Sequence, residues 1–272
     1  MLISVVIILL ALAGILAGII AGLFGLGGGI LFVPVLLFVF QHAGVENAVL
    51  WTVGTSLVCN FVAALSSTFK HYQSDNLFLR EGMQIGLFGI AGTYLGRLIA
   101  QSPYYSEVEF TVFFSLILLY SVYHFFKKKK PEVAAGQVVR PLRWYLAMVL
   151  GLASGLLASL AGVGGGLIMV PAMSIFLSFG YRKVVSISSL AIVLITLAGW
   201  IQFALLTPGA GGLTGYELGY VDFGLALPLV AGSIVGARFG VKLLGVIRMR
   251  TLEIAFGFLV ILVISRLLYG LF

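Results

Sequence analysis

Charge is what this sequence has least of. Only 9% of its 272 residues are Asp, Glu, Lys or Arg, while 61% are hydrophobic and the mean hydropathy is +1.17. Soluble domains carry roughly 25% charged residues. A chain this poor in polar surface cannot face water, and several of its apolar runs reach the ~20 residues that cross a ~30 Å hydrocarbon core. It reads as an integral membrane protein. Its one cysteine, Cys59, excludes an intramolecular disulfide and reads as a small core residue. The three histidines, His42, His71 and His124, share no ligand spacing, so no metal is expected. No carboxylate falls at the centre of an apolar run: Glu46, Asp75, Glu81, Glu107, Glu109, Glu132, Glu217, Asp222 and Glu253 all lie in loops or near helix ends. A cation carrier would place one at mid-membrane. Nor does any His–carboxylate or Cys–His pair share a depth, which argues against an enzyme.

What is present is a series of ten apolar segments, at about 2–23, 30–41, 46–69, 82–101, 107–126, 142–160, 167–179, 184–206, 221–243 and 251–271. The first lacks a basic n-region, so it reads as a retained span and not a cleaved signal peptide. The only long polar stretch, "KKKKPEVAAGQVVRPLR", begins at Lys127. It divides the chain into a first repeat (1–126), a basic linker (127–141) and a second repeat (142–272). A shift of 137 residues lays Gly14, Gly18, Gly25, Gly27, Gly28, Gly29 and Pro34 onto Gly151, Gly155, Gly162, Gly164, Gly165, Gly166 and Pro171. With Ala21, Leu23 and Val33 also matched, 10 of the 21 positions from 14 to 34 are identical. Small gaps bring Thr55-Ser56-Leu57 onto Ser188-Ser189-Leu190, and Gly92 and Gly96 onto Gly232 and Gly236.

Orientation follows from the basic residues, which collect in cytoplasmic loops. With ten crossings and the tetralysine inside, 13 of the 16 basic residues fall in inner loops, and the outer loops hold none. Making the two short segments re-entrant would move Arg182, Lys183, Lys242, Arg248 and Arg250 outside. This placement, not nucleic-acid binding, accounts for the formal charge of +7. Five segments per repeat put the halves in opposite orientations, the arrangement of many secondary transporters. The expected fold is therefore an all-α membrane protein of about ten transmembrane segments, built as two inverted-topology five-segment repeats.

Each repeat interrupts itself with glycine: "GLFGLGGGILFVP" ends at Pro34 and "LAGVGGGLIMVP" at Pro171. The segments that follow are too short to cross alone, about 18–20 Å at ~1.5 Å per residue. Gly27, Gly28 and Gly29 would thus enter from the cytoplasmic side and Gly164, Gly165 and Gly166 from the outer side. Each break opens a helix N-terminus, whose free N–H groups and partial positive charge suit an anion. No Lys-Ser or Lys-Thr follows, so neither break is a nucleotide loop, and no cofactor is expected. Gly14 and Gly18 read instead as close-packing glycines. The mid-span polar residues are neutral: Thr55, Ser56 and Asn60 in the first half, Ser188, Ser189 and Gln202 in the second. Such groups can donate to oxyanions without burying a fixed charge, or bond back to their own helix, and the amides can tie helices together. Arg97 and Arg238 occupy related positions near helix C-termini. They read either as snorkelling cations or as guanidiniums that attract an anion at the pore mouth. Trp51, Trp144 and most tyrosines read as interfacial anchors, and Trp200 as packing.

The paired glycine–proline stretches, with "GTSL" at 54–57, resemble the TauE/SafE family of sulfite exporters and related anion permeases, over nearly the whole chain. In the second half Ile187 stands where the family-like glycine, Gly54, precedes the hydroxyl pair. The resemblance implies movement of sulfite, thiosulfate or sulfonates such as sulfoacetate across the bacterial cytoplasmic membrane. A membrane potential, negative inside, drives anions outward by ~2.3 kcal/mol per charge per 100 mV, so export is the expected direction. An anion channel, or a permease for another small organic anion, is the alternative. The lipid bilayer and a small anion are the expected partners.

Overall fold

The structure is a computed structural model that describes residues 2–24, 28–73, 78–127, 142–176, 181–243 and 249–269. Among these, each of the ten apolar segments is a helix: α1 Leu2–Phe24, α2 Gly29–His42, α3 Ala48–Gln73, α4 Leu79–Ala100, α5 Glu107–Lys127, α6 Trp144–Ala161, α7 Gly166–Phe176, α8 Tyr181–Ala204, α9 Phe223–Leu243 and α10 Met249–Tyr269. Most of the linker, 128–141, lies outside the described residues. In lipid a helix is the economical choice, because it satisfies its own backbone polar groups. Four helices, α3, α4, α6 and α8, are long and apolar enough to cross a membrane, and several shorter ones are apolar too.

Local signals set the helix ends. At α5, Ser106 and Glu109 form a capping box: the Ser106 N–H donates to Glu109 Oε2 at 2.9 Å, and the Val108 N–H reaches Ser106 Oγ at 3.4 Å. At α6 the chain turns left-handed at Gly162 (φ 70°), whose N–H donates to Ala158 O at 2.8 Å. Before α9 a two-residue hairpin pairs β1 (Glu217–Leu218) with β2 (Val221–Asp222), Glu217 opposite Asp222. Asp222 is fully buried and caps α9, accepting from the Leu225 N–H at 3.2 Å. The same carboxylate accepts from the N–H groups of Leu213 and Thr214, which fastens the 207–216 loop onto the helix.

α3 and α8 pack on each other at the centre of the protein. Of their apolar stretches 72% and 61% are buried, against 39% for α4 and 44% for α6. Around this pair, α1 packs along α9 and α4 along α6. Both outer contacts are made by glycines four residues apart. A β-carbon on Gly14 or Gly18 would collide with the backbone of Leu229 or Ser233, and one on Gly232 or Gly236 with that of Ala11 or Ile15. Likewise Gly92 and Gly96 lie against Leu152 and Leu156, and Gly151 and Gly155 against Ile85 and Gly89. Small residues at this spacing let helix backbones approach, which in lipid supplies the packing that hydrophobicity cannot. Trp51, Phe32, Phe40, Phe110, Phe114 and Phe203 are fully buried, whereas Leu16, Leu87, Leu116, Phe258 and Ile261 point outward on α1, α4, α5 and α10.

Candidate functional site

The candidate site is built by four elements: the start of α2, the turn between α6 and α7, and the central helices α3 and α8. Gly28 precedes α2 with φ −83° and ψ −1°, and its carbonyl accepts from the N–H groups of Leu31 and Phe32 at 3.0 and 3.1 Å. The N–H groups of Gly29 and Ile30 therefore stand ahead of the first intrahelical bond. The second break is arranged alike at its helix end, with Gly165 O accepting from Ile168 and Met169, so that Gly166 and Leu167 hold the leading N–H groups. Such leading donors, at the positive end of a helix dipole, are where anions are held. Pro34 and Pro171 sit inside the two helices and remove the N–H that would have bonded Ile30 O and Leu167 O.

The two breaks meet. A β-carbon on Gly29 would lie 2.7 Å from Val163 Cα and 2.9 Å from Asn60 Nδ2. Ser56 and Asn60, one turn apart on α3, both donate to the Gly162 carbonyl, at 3.0 and 2.8 Å. Asn60 Nδ2 also bonds Ser56 O at 3.0 Å, and Ser56 Oγ bonds Val53 O at 2.9 Å. Gly164 is enclosed by Asn60 from α3 and by Ile192 and Thr196 from α8. Gly28, Gly29, Ile30 and residues 162–167 are all buried. Gly27 lies outside the described residues.

The other predicted site residues lie apart from this junction. Thr55 Oγ1 accepts the Asp222 N–H at 3.0 Å and so anchors the start of α9. Ser188 and Ser189 both donate to Val185 O, at 3.0 and 2.7 Å, and Ser189 shares a 3.0 Å hydrogen bond with Ser67 of α3. Gln202 Nε2 donates to Thr93 Oγ1 at 2.9 Å, which ties α8 to α4. Arg97, in the last turn of α4, stacks over the Tyr94 ring at 4.9 Å. Arg238 falls on α9, with its side chain outside the described residues. Cys59 is buried, and Trp200 packs between Phe61 and Phe223 at 6.5 and 6.3 Å.

Three residues that contact the predicted site residues were not singled out from the sequence. Thr196 faces Gly164, Thr93 receives the Gln202 amide, and Asp222 holds Thr55 and α9 together. Only Asp222 had a readable signal, an Asp directly before an apolar helical run.

Comparison with known proteins agrees with this architecture. A probable membrane transporter protein of Methanocaldococcus jannaschii is 27% identical over 235 residues, covering 86% of this chain and 85% of that protein. Probable membrane transporter proteins of Haemophilus influenzae and Bacillus subtilis are each 26% identical, covering 96% and 97% of this chain and 98% of each relative. No solved structure matches the chain. The family model described as Sulfite exporter TauE/SafE matches residues 10–267, and the chain therefore belongs to the TauE/SafE family of membrane transporters.

Proposed function

We propose that the protein is a carrier for small sulfur-containing oxyanions, such as sulfite, thiosulfate or a sulfonate like sulfoacetate, and binds them where the two glycine breaks meet. The observation that carries this is the contact of Gly29 with Val163, beside a Gly162 carbonyl held by both Ser56 and Asn60. Ionised sulfur oxyanions present acceptors on every side, so a ring of N–H and O–H donors suits them. Gly29 at the start of α2 lies against Val163 in the turn before α7, and the leading N–H groups of the two helices, those of Gly29 and Ile30 and of Gly166 and Leu167, would supply donors beside the central glycines Gly28 and Gly165. Released from Gly162 O, the Asn60 amide and Ser56 hydroxyl would add neutral donors without a buried fixed charge. Thr55, Ser188 and Ser189 are engaged elsewhere in this closed arrangement and would join only if α3 and α8 shift. Because both breaks are buried against each other, ligand entry requires the halves to part here, which is carrier behaviour and not that of a standing pore.

Two further observations support inverted halves with ten crossings. Exchanging α1–α5 for α6–α10 turns the α1–α9 contact into α6–α4, and the glycines matched in sequence are the ones that make both contacts. The helix ends also sort as the charge pattern requires. Glu81 pairs with Lys183 at 3.2 Å on the side assigned to the cytoplasm. Gln41 bonds Glu107 at 3.0 Å, and Tyr105 bonds Leu160 O at 3.0 Å, on the other side. In the bacterial cytoplasmic membrane the potential favours export without a coupled ion.

The test is counterflow in liposomes containing the purified protein. Labelled sulfite or sulfoacetate should enter faster when the same anion is preloaded inside, as exchange by a carrier requires. Flux without acceleration would make the protein a channel. Absence of flux across a panel of sulfite, thiosulfate and sulfoacetate would remove the substrate class.

A further inference from the structure

A cavity of about 640 Å³ opens on the outward face of α4, away from the glycine junction. Its two ends differ in chemistry. At one end Arg97 and Gln202, from the last turns of α4 and α8, line the same space. Arg97 Nε and Gln202 Oε1 are both buried, and neither has a hydrogen-bond partner among the described residues. The Gln202 amide nitrogen is already used on Thr93, so its oxygen remains as an acceptor, while the guanidinium carbon lies over the Tyr94 ring at 4.9 Å. At the other end the wall is apolar, made by Leu87, Ile90 and Ala91, with Leu95 continuing it up to Arg97. Leu87 precedes Arg97 by ten residues, so the cavity runs about 15 Å down the helix, from its end toward mid-membrane. Leu87, Tyr94 and Leu95 are exposed along it, on the side a bilayer would cover.

We infer that this cavity binds one anionic phospholipid, headgroup on Arg97 and Gln202 and one acyl chain along Leu87, Ile90 and Leu95. A free inorganic anion would account for the cation but not for the apolar length below it. A second protein copy would cover the apolar face but leave the Arg97 charge, with its buried Nε, unneutralised. A phospholipid answers both, because its phosphodiester sits at the depth of a helix end and its chain runs inward. Phosphatidylglycerol fits the acceptor as well: its phosphate takes the Arg97 N–H and a glycerol hydroxyl can donate to Gln202 Oε1. A guanidinium pairs well with phosphate oxygens through charge-assisted hydrogen bonds. The site is independent of which anion is transported.

Native mass spectrometry of the full-length protein in detergent tests it, with phosphatidylglycerol and phosphatidylcholine of identical chains as probes. Wild type should retain one phosphatidylglycerol about fivefold more tightly than phosphatidylcholine. Arg97→Leu should abolish the preference, and Arg97→Lys should keep part of it. Ala91→Trp, which fills the apolar end and leaves Arg97 in place, should lose the lipid while circular dichroism remains that of the wild type. Equal retention of the two lipids by wild type would overturn the inference, as would wild-type retention of phosphatidylglycerol in Ala91→Trp. Glycerol phosphate displacing the lipid at similar concentration would also overturn it, since the site would then read the head alone.

Discussion

The two glycine breaks share a sequence and differ in backbone. In the first, Gly28 has ordinary right-handed angles and leads into a helix of 14 residues. In the second, its sequence counterpart Gly165 is left-handed with φ 75°, as are Gly162 and Gly164 at 70° and 71°, whose counterparts Gly25 and Gly27 lie outside the described residues. The second break is also held from outside itself, by Ser56 and Asn60 on Gly162 O and by Tyr105 on Leu160 O. At the matched pair Gly28 and Gly165, described in both breaks, the same residue therefore serves different ends. At Gly28 the missing side chain admits the Phe32 ring against the helix start, and at Gly165 it permits a conformation that other residues avoid.

The largest expected effect exploits that difference. A β-carbon on Gly165 would lie 2.5 Å from Ser154 O, in a left-handed conformation. Gly165→Ala should destabilise the protein by ~3 kcal/mol or more, and little folded protein should survive purification. Gly28→Ala meets only the ring of Phe32, one turn along its own helix, with φ that alanine accepts. It should fold, with a loss of ~1 kcal/mol as that ring moves, and show its effect as reduced anion transport. Equal melting temperatures for the two variants would erase the distinction between the breaks.

A second pair of variants compares the outer contacts. Read from the sequence alone, Gly14 lies in a regular helix, where alanine would be the better helix former. The close packing expected of Gly14 outweighs that propensity, because the Leu229 carbonyl occupies the place of the β-carbon, as the Ile85 carbonyl does for Gly151. Gly14→Ala and Gly151→Ala should each lower stability by ~1–3 kcal/mol, and by similar amounts if α1–α9 and α4–α6 are equivalent contacts. A neutral Gly14→Ala beside a damaging Gly151→Ala, in thermal unfolding, would separate the halves.

Much of this was legible before any coordinates. Hydropathy alone marked all ten helices, with ends displaced by a few residues, because apolar runs in lipid have helix as their one economical form. The sequence repeat marked which glycines correspond. What it left open was the partner of each polar group. Thr55 and Ser188 lie within α3 and α8 like Ser56 and Asn60, and Gln202, expected at mid-span, lies in the last turn of α8; their bonds go to Asp222, Val185 and Thr93. A hydroxyl's partner depends on helix rotation, and the residue pattern of a helix buried on nearly all sides, as α3 is, does not reveal its rotation. The inequality of the breaks was hidden for a similar reason: glycine permits both hands of backbone and so announces neither.

The hold on the second break can be measured in parts. Asn60→Ala and Ser56→Ala each leave Gly162 O one donor, and each should lower stability by ~1 kcal/mol. The double variant leaves a buried carbonyl with neither, so its loss should exceed the sum of the singles. Simple additivity would mean that this carbonyl is not what joins α3 to the break.

The smallest expected effect lies at the outer tie. Tyr105 donates its hydroxyl to Leu160 O at 3.0 Å, two residues before Gly162. Burial, reinforced by the Glu109 carboxylate, raises the phenol above its ordinary pKa of 10.0. The folded protein therefore keeps a proton that the unfolded chain gives up first. The stability from this group is complete below the unfolded value, and declines as pH climbs above 10.0 toward the folded value. Tyr105→Phe should cost about 0.5–1.5 kcal/mol at neutral pH, the net worth of one hydrogen bond. It should also flatten the fall in stability between pH 9 and 11, roughly the range in which a free phenol ionises. Melting curves across that range for wild type and Tyr105→Phe decide the matter. Parallel pH profiles would mean the tie contributes nothing to holding the second break, and the contrast with the first would then rest on Ser56 and Asn60 alone.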